Sequence, residues 1–275
     1  MKLLAYNIKD GAVDSRGDRL ETVAEVVRSS AADLACLAEC GGWSTVGGAT
    51  PAAVEGSRRF HRFERLVQMR GLLLDGGSGS PVAVFYSSPW VVESAVSVPG
   101  RFFHAALAVS LTRPGRRPLL LISAHLDPFS ATGRRAEAEV LAWYAEHHTA
   151  EADVVIAGDL NSVSRQDLED GFIDEDPPEG ASLRLLSSKS RLDSTPLTLL
   201  KRAMLNDCYR QVNPSLPGYT DPTSRFREPG EPSLRIDFVL ASPGLSCRVH
   251  SARVMTEPPA DAASDHYPVL VEFTG

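Results

Sequence analysis

Short apolar runs of strand length recur along the whole chain, and most close on a residue that carries chemistry. Lys2 to Ile8 holds Leu3, Leu4 and Tyr6 and ends around Asn7, and Asp33 to Glu39 ends in an acid. Leu119 to Leu126 carries His125 near its close, while Val154 to Ala157 runs straight into Gly158-Asp159-Leu160-Asn161. Runs of this length, bounded by Gly, Pro and polar residues, predict strands. The same pattern predicts strands over Leu66–Leu74, Pro81–Ser87, Val91–Val98, Phe103–Leu111, Arg235–Ala241, Arg248–Met255 and Tyr267–Phe273. Helical spacing interleaves with them. Leu20, Val23, Ala24 and Val27 recur on one face with Asp18 placed to cap it, and Gly133 to His148 puts Ala136, Val140, Trp143 and His147 on one stripe. Pro196 to Leu205 predicts a third helix, and Gly41 to Gly56 a long loop. With no repeat and no linker in view, strands alternating with helices predict one α/β unit over 1–275.

Several other classes are excluded. The chain has 275 residues, 43% hydrophobic and 23% charged, enough to bury a core without staples. Its longest apolar runs, Val82 to Tyr86 and Ala105 to Val109, fall far short of the about 20 residues a bilayer span needs. Met1 to Ala5 turns polar at Tyr6-Asn7, too soon for a signal-peptide core. Cys36, Cys40, Cys208 and Cys247 lack metal-type spacing. Without a secretory signal they read as reduced, buried thiols of a cytoplasmic protein.

Net charge is −7, and it is unevenly placed: Gln166 to Glu179 holds seven acids and no Lys or Arg, and without that run the chain is neutral. The run reads as a solvated acidic loop. Arginines cluster at Arg58, Arg59, Arg62, Arg65 and Arg70, at Arg113, Arg116 and Arg117, and at Arg134 and Arg135. Such clusters suit a phosphate-rich partner or scattered surface charge.

The polar residues at strand ends have an order. Asn7, Glu39, His125, Asp159 with Asn161, Asp237, and Asp265 with His266 all stand where an α/β sheet holds a side chain rigid yet exposed. Singly, each reads as a turn residue, a cap or an ion-pair member. Together Tyr6-Asn7, Leu37-Ala38-Glu39, Ser123-Ala124-His125-Leu126, Gly158-Asp159-Leu160-Asn161, Arg235-Ile236-Asp237-Phe238-Val239 and Ser264-Asp265-His266-Tyr267-Pro268-Val269 resemble the endonuclease/exonuclease/phosphatase superfamily, over essentially the whole chain.

That resemblance implies a DNase I-like four-layer α/β sandwich, with two packed, mostly antiparallel sheets flanked by helices. It implies a divalent-metal-dependent phosphoester hydrolase using Mg²⁺ or Mn²⁺, hard ions that prefer oxygen ligands. Glu39 would be the main metal ligand, with Asn7 and Asp265 beside the ion. Asp159 would orient and deprotonate the attacking water, and Asn161 would hold a phosphate oxygen. His266, its tautomer set by Asp237, would bind the phosphoryl group or share the base role, and His125 would donate to the scissile phosphate. One departure stands out: the stretch Ser78-Gly79-Ser80-Pro81 has no acid where DNase I-like members support the first histidine with a carboxylate, and Ser80 is the nearest match.

Three readings follow: a phosphodiesterase or nuclease, a phosphatase or phosphodiesterase of a small or lipid phosphoester, and a silent binding protein on the same scaffold. Partners are then a phosphoester substrate, nucleic acid among the candidates, and no membrane span. Because the acidic run follows Asp159 and Asn161 closely, it is expected near the site entrance, disfavouring long duplexes relative to short, single-stranded or small substrates. His147-His148, at a helix end, reads as structural, while Trp43 and Trp90, near loops, suit either stacking on a base or lining a pocket, or core and interface packing.

Overall fold

The first strand, β1 (Lys2–Asn7), runs parallel to β4 (Leu34–Ala38) on one side and antiparallel to β14 (Val269–Phe273) on the other. In the computed structural model, which describes residues 1–45, 54–174 and 191–274, this trio is the centre of a sheet ordered β13-β14-β1-β4-β6-β5. Its outer strands are β13 (Val249–Val254), β6 (Val82–Tyr86) and β5 (Arg70–Leu74). The second sheet is ordered β11-β12-β10-β9-β8-β7. It comprises β7 (Val91–Ser97), β8 (Ala105–Thr112), β9 (Leu119–His125), β10 (Asp153–Asp159), β11 (Asn206–Asp207) and β12 (Asp237–Ala241). Here β10 is parallel to β9 and antiparallel to β12. Both sheets thus have one central parallel pair and antiparallel flanks, although the chain threads them in different orders. No repeat is legible in the sequence because the duplication is one of pairing pattern alone.

Alternation within the strands builds the layers. Leu3, Ala5, Leu34, Cys36, Val84, Leu107, Leu121, Val155, Val239 and Val271 form the buried core between the sheets. Their neighbours Leu4, Tyr6, Ala35, Leu37 and Phe85 face outward onto α2 (Leu20–Ser30) and α3 (Arg58–Val67). On the second sheet, Ala108, Ile122, Ile156 and Phe238 pack on α4 (Ala131–His148) and α6 (Thr195–Arg202). The result is helices, sheet, sheet, helices: the expected four-layer sandwich with mostly antiparallel pairing. Shorter elements complete it: α1 (Lys9–Ala12), β2 (Val13–Asp14), β3 (Gly17–Asp18), α5 (Arg165–Glu169), α7 (Cys208–Val212), α8 (Pro243–Ser246) and α9 (Ala260–Ala263). Among the described residues no helix is long and apolar enough to cross a membrane.

Several local expectations need correction. Leu66 and Val67 belong to a helix, not to the strand predicted over Leu66–Leu74. Ser57 caps α3 by accepting from the Phe60 amide, and Phe60, Phe63 and Val67 are buried at helical spacing. The strand begins at Arg70. Arginines 59 and 62 of this helix are spent on ion pairs with Asp18 and Glu21. In α4 the stripe read from hydrophobicity is the wrong one: Trp143 is exposed, while Arg134, Glu137, Ala138, Leu141 and Ala145 are buried. Charged side chains face inward because they satisfy loop backbone. Glu137 accepts from the Phe103 and Asp127 amides, and Arg134 donates to the Asp127 carbonyl and pairs with Asp193. Arg134 therefore leaves the basic surface. Cys36, Cys40 and Cys208 are buried free thiols, as expected, but Cys247 is exposed.

The acidic run is not simply a solvated loop. Asp167 is fully buried between Arg210 and Arg235, at 2.7 and 2.8 Å. Arg235, itself 1% exposed, also reaches Asp207 at 2.7 Å. Glu175, Asp176 and Glu179 of the run lie outside the described residues. Removing one partner of a buried ionic network strands the others, at a typical cost of about 3–5 kcal/mol. Asp167→Ala should therefore lower the thermal midpoint sharply, whereas Asp170→Ala should move it little. Equal, small shifts in both variants, measured by calorimetry, would contradict this reading of the network.

Candidate active site

A parallel pair delivers two strand ends to the same edge of a sheet, and an antiparallel neighbour delivers a strand start there. The first sheet supplies Asn7 at the end of β1, Glu39 just after β4, and Asp265-His266 before β14. The second supplies Asp159 at the end of β10, His125 at the end of β9, and Asp237 at the start of β12. The two sheets meet at this edge, in a cavity of about 380 Å³ lined by Lys9, Asp10, Glu39, His104, His125, Asp159, Asn161, Asp221, Asp265 and His266 among others. All eight side chains singled out in the sequence therefore come together. Asp237 stands behind His266 and Asn7 at the floor, both buried. A larger cleft of about 520 Å³ beside α6 and α7 holds none of them.

Asn7 ties the two halves. Its Nδ2 donates to Glu39 Oε1 at 2.9 Å and to Asp159 Oδ2 at 3.0 Å, while its Oδ1 accepts from the Lys9 amide. Asn7 thus turns its amide nitrogen, not its oxygen, toward the carboxylates, which makes it a bridge between them rather than an oxygen ligand. The chain then enters a left-handed turn. Lys9, Asp10, Gly11 and Ala12 have φ of 52°, 51°, 65° and 62°, three of them non-glycine residues in a region that costs energy. The surroundings hold it there. Asp10 N donates to Glu39 Oε2, Gly11 N to the Glu39 carbonyl, and Trp43 Nε1 and Arg59 Nε both to the Gly11 carbonyl. Gly11 is required as well as tolerated, since a Cβ would lie 1.9 Å from the Gly41 carbonyl oxygen. The turn aims Lys9 at Asp265, 2.6 Å away, and places Asp10 in the cavity wall.

The two histidines differ in charge. His266 Nδ1 is 2.8 Å from Asp237 Oδ2, and its Nε2 lies 3.7 Å from Asp221 and 3.9 Å from Asp159. Burial works against a charged ring, but Asp237, Asp221 and Asp159 outweigh it and hold His266 well above the ordinary 6.5, as an imidazolium. Burial, together with His266, pushes His125 down to about 3, so it is neutral. Its Nε2 is 3.6 Å from Asp159, and its Nδ1 has no hydrogen-bond partner among the described residues. In place of the carboxylate absent near Ser80, the ring of His104 stacks on it, 4.0 Å away and 13° from parallel, and His104 Nδ1 is held by Ser78 Oγ at 2.8 Å. The nearest match was therefore Ser78, acting through His104.

The carboxylates crowd one another. Burial and Asp237 push Asp159 up to about 8, burial raises Asp221 to about 7, and burial with Glu39 raises Asp10. Asp265 goes the other way: burial would raise it, but His266 and Lys9 hold it below the usual range. Asp159, Asp237 and His266 could between them offer ligand atoms within 4.8 Å of one another. Yet both ring nitrogens of an imidazolium carry protons, so that trio suits proton handling better than chelation. Glu39, half-buried, and Asp10, exposed, offer hard oxygen donors at the cavity wall in a site short of positive charge, which fits a divalent cation. Lys9, Asp10, His104 and Asp221 were missed in the sequence. Only Asp10, in the Lys9-Asp10-Gly11 turn after a chemistry-bearing strand end, carried a usable signal.

Asn161, with φ 45°, donates from Nδ2 to the Leu126 carbonyl at 3.0 Å, and its backbone amide donates to Asp159 Oδ1 at 2.9 Å. That leaves its second amide hydrogen for the cavity.

Two six-stranded sheets packed face to face, with an acidic, histidine-bearing cavity at their shared edge, define a DNase I-like α/β sandwich. The chain belongs to the endonuclease/exonuclease/phosphatase family, whose profile matches residues 4–266. Similar solved structures include an AP endonuclease from Archaeoglobus fulgidus (17% identity, all of both chains, TM-score 0.70). They also include truncated TDP2 from Caenorhabditis elegans (17%, all of this chain and 97% of that one, 0.67) and a 3′ phosphatase, NExo, from Neisseria bound to product DNA hairpin (19%, all of both chains, 0.67). No curated protein sequence matches the chain.

The charge on His266 has a measurable consequence. A histidine whose folded pKa is raised contributes stability that is complete below its unfolded value near 6.5 and is lost as pH rises through the folded pKa. Nitrogen-15 NMR of the imidazoles should find His266 protonated at neutral pH, and Asp237→Asn should lower its pKa. An ordinary titration near 6.5 in the unaltered protein would contradict the assignment.

Proposed function

We propose that this protein is a divalent-metal-dependent hydrolase of phosphoester bonds, a phosphodiesterase or nuclease acting on short, single-stranded or small substrates. The observation that carries this reading is the meeting, in one cavity, of Glu39, Asp159, Asn161, His125 and the His266–Asp237 pair. The family's phosphoester chemistry supports it, as do the AP endonuclease and 3′ phosphatase among its structural neighbours.

Glu39 and Asp10 would hold Mg²⁺ or Mn²⁺, with Asp265 and Asn7 beside it, and the ion would supply positive charge to a phosphoryl oxygen. The remaining work falls to side chains. Asp159 orients the attacking water and takes its proton; nearby positive charge favours the ionised carboxylate that this requires. His266, an imidazolium anchored by Asp237, donates from Nε2 to a phosphoryl oxygen and offsets developing charge. Neutral His125 donates a hydrogen bond to the phosphate, its plane kept by His104, and Asn161 offers its free amide hydrogen to another oxygen.

The preference for small or single-stranded substrates rests on charge placement. Asp10, Glu39, Asp221, Glu231 and Asp265 line the cavity, and Lys9 is the one Lys or Arg among its described lining. Arg59 and Arg62 of α3 are paired with Asp18 and Glu21, Arg134 is buried, and Arg113 to Arg117 stand at the far end of β8. A protein gripping a duplex needs a track of free cations, and its affinity falls steeply with salt. This wall also favours the second reading, a phosphatase of a small phosphoester.

Chelation should abolish hydrolysis, and Mg²⁺ or Mn²⁺ should restore it. Asp159→Asn and His266→Ala should each reduce turnover by at least ~10²-fold, the scale of a lost general base or proton carrier. The deciding assay compares single-stranded DNA, duplex DNA, RNA and small mono- and diesters with each metal. Undiminished turnover without metal would refute the mechanism; tight, salt-sensitive duplex binding would refute the substrate preference. No turnover on any of them would favour the silent scaffold.

A further inference from the structure

The strands that carry the cavity at one end begin at the other, near Lys2, Leu119 and Asp153, and β14 finishes there at Phe273. A cleft at this far edge is lined by Trp90, Arg113, Arg116, Arg117, Asp153 and Arg248, among others. Arg113 and Arg116 are the two ends of a tight turn between β8 and β9. The Arg116 amide donates to the Arg113 carbonyl, and Pro114 and Gly115, the latter with φ 70°, fill its middle. Proline fixes one central residue and glycine alone suits the other, so the two guanidiniums are presented by a rigid link.

Two of the four arginines are already committed. Arg117 donates to the Thr149 and Ala150 carbonyls, and Arg248 pairs with Asp153. Arg113 and Arg116 have no ion-pair partner among the described residues. Arg113 lies over the Trp90 ring, 4.7 Å from its centroid, and burial with repulsion from Arg116 lowers its pKa. Two buried donors in this wall also lack acceptors among the described residues: Arg113 Nε and the indole Nε1 of Trp90, a residue only 6% exposed. Buried donors without acceptors are costly. Beside two unpaired guanidiniums they mark the place of an anion. At its enclosed bottom the cleft has room, about 20 Å³, for one water-sized group, which matches a single oxygen.

We propose that this cleft is an oxyanion site, which takes one oxygen of a phosphate-class anion between Arg113, Arg116 and the Trp90 indole, at the pole opposite the catalytic cavity. A guanidinium fork favours a tetrahedral oxyanion over a spherical halide. The same chemistry is offered by free orthophosphate and by the phosphate end of a nucleic acid strand.

The chain's three tryptophans, Trp43, Trp90 and Trp143, give three indole N–H signals, a direct readout. Trp90→Phe identifies the signal of interest. Orthophosphate titrated through the millimolar range into the intact protein, against chloride of matched ionic strength, should shift the Trp90 indole saturably and leave Trp43 unmoved. The shift should persist in Glu39→Gln, which sets it apart from events in the catalytic cavity. Arg113→Gln should weaken it at least ~10-fold, and Arg113→Lys, which keeps the charge without the fork, by less. A 5′-phosphorylated single-stranded oligonucleotide, tested in Glu39→Gln, identifies the source: saturation at lower concentration than orthophosphate assigns a strand end, and equal or weaker binding assigns the free anion. An unmoved Trp90 signal, a response to chloride as large as to phosphate, or a shift that survives Arg113→Gln would overturn the proposal. None of these results depends on whether the cavity hydrolyses anything.

Discussion

One buried amide holds this site together. Asn7 lies at the end of β1 and donates to Glu39 of its own sheet and to Asp159 of the other. Those two acceptors belong to residues 32 and 152 positions away. Without a donor between them two ionised carboxylates at this spacing would repel across the edge where the sheets meet. The amide's oxygen is used too, to start the left-handed turn at Lys9. A single side chain therefore sets the spacing of the two cavity acids and the direction the chain takes beside them.

Charge inside the cavity is arranged in the same economical manner. Asp237 and Lys9 never need to meet substrate to matter: one keeps His266 charged, the other keeps Asp265 ionised. His125 and His104 stand a few ångströms away as neutral, stacked rings. One charged and one neutral histidine share the pocket because their surroundings differ: three carboxylates hold the proton on His266, while burial and the nearby His266 charge keep His125 neutral. The strain in Lys9, Asp10 and Ala12 is balanced by donors from Trp43, Arg19 and Arg59 to the carbonyls of the turn.

The sequence was most informative where side-chain chemistry and strand length coincide. Asn7, Glu39, His125, Asp159 and Asp237 each close or open an apolar run, so the pattern placed them at strand ends of an α/β unit, while the four-layer sandwich and the shared site followed from the family resemblance of those motifs. Residues brought in by unusual backbone were hardly legible, Asp10 excepted through its place in the Lys9-Asp10-Gly11 turn. Lys9 and Asp10 depend on positive φ that no non-glycine residue advertises, and His104 precedes an otherwise ordinary strand. Helix faces failed where charge was buried. Hydrophobicity chose Trp143 over Arg134 and Glu137, because period analysis assumes that ions face water. Asp167 misled for the same reason, its partners Arg210 and Arg235 being remote in sequence.

The different threading of two alike sheets has a consequence for when the molecule becomes complete. The second sheet is built from one continuous stretch, β7 to β12. The first is begun by β1 and left open until β14, which pairs with β1 from the opposite end of the chain and brings Asp265 and His266 with it. During synthesis every carboxylate of the cavity, Asp265 included, is made before the imidazolium of His266 that balances them. A growing chain thus carries an unfinished site throughout, and the cavity is complete only once β14 has docked on β1.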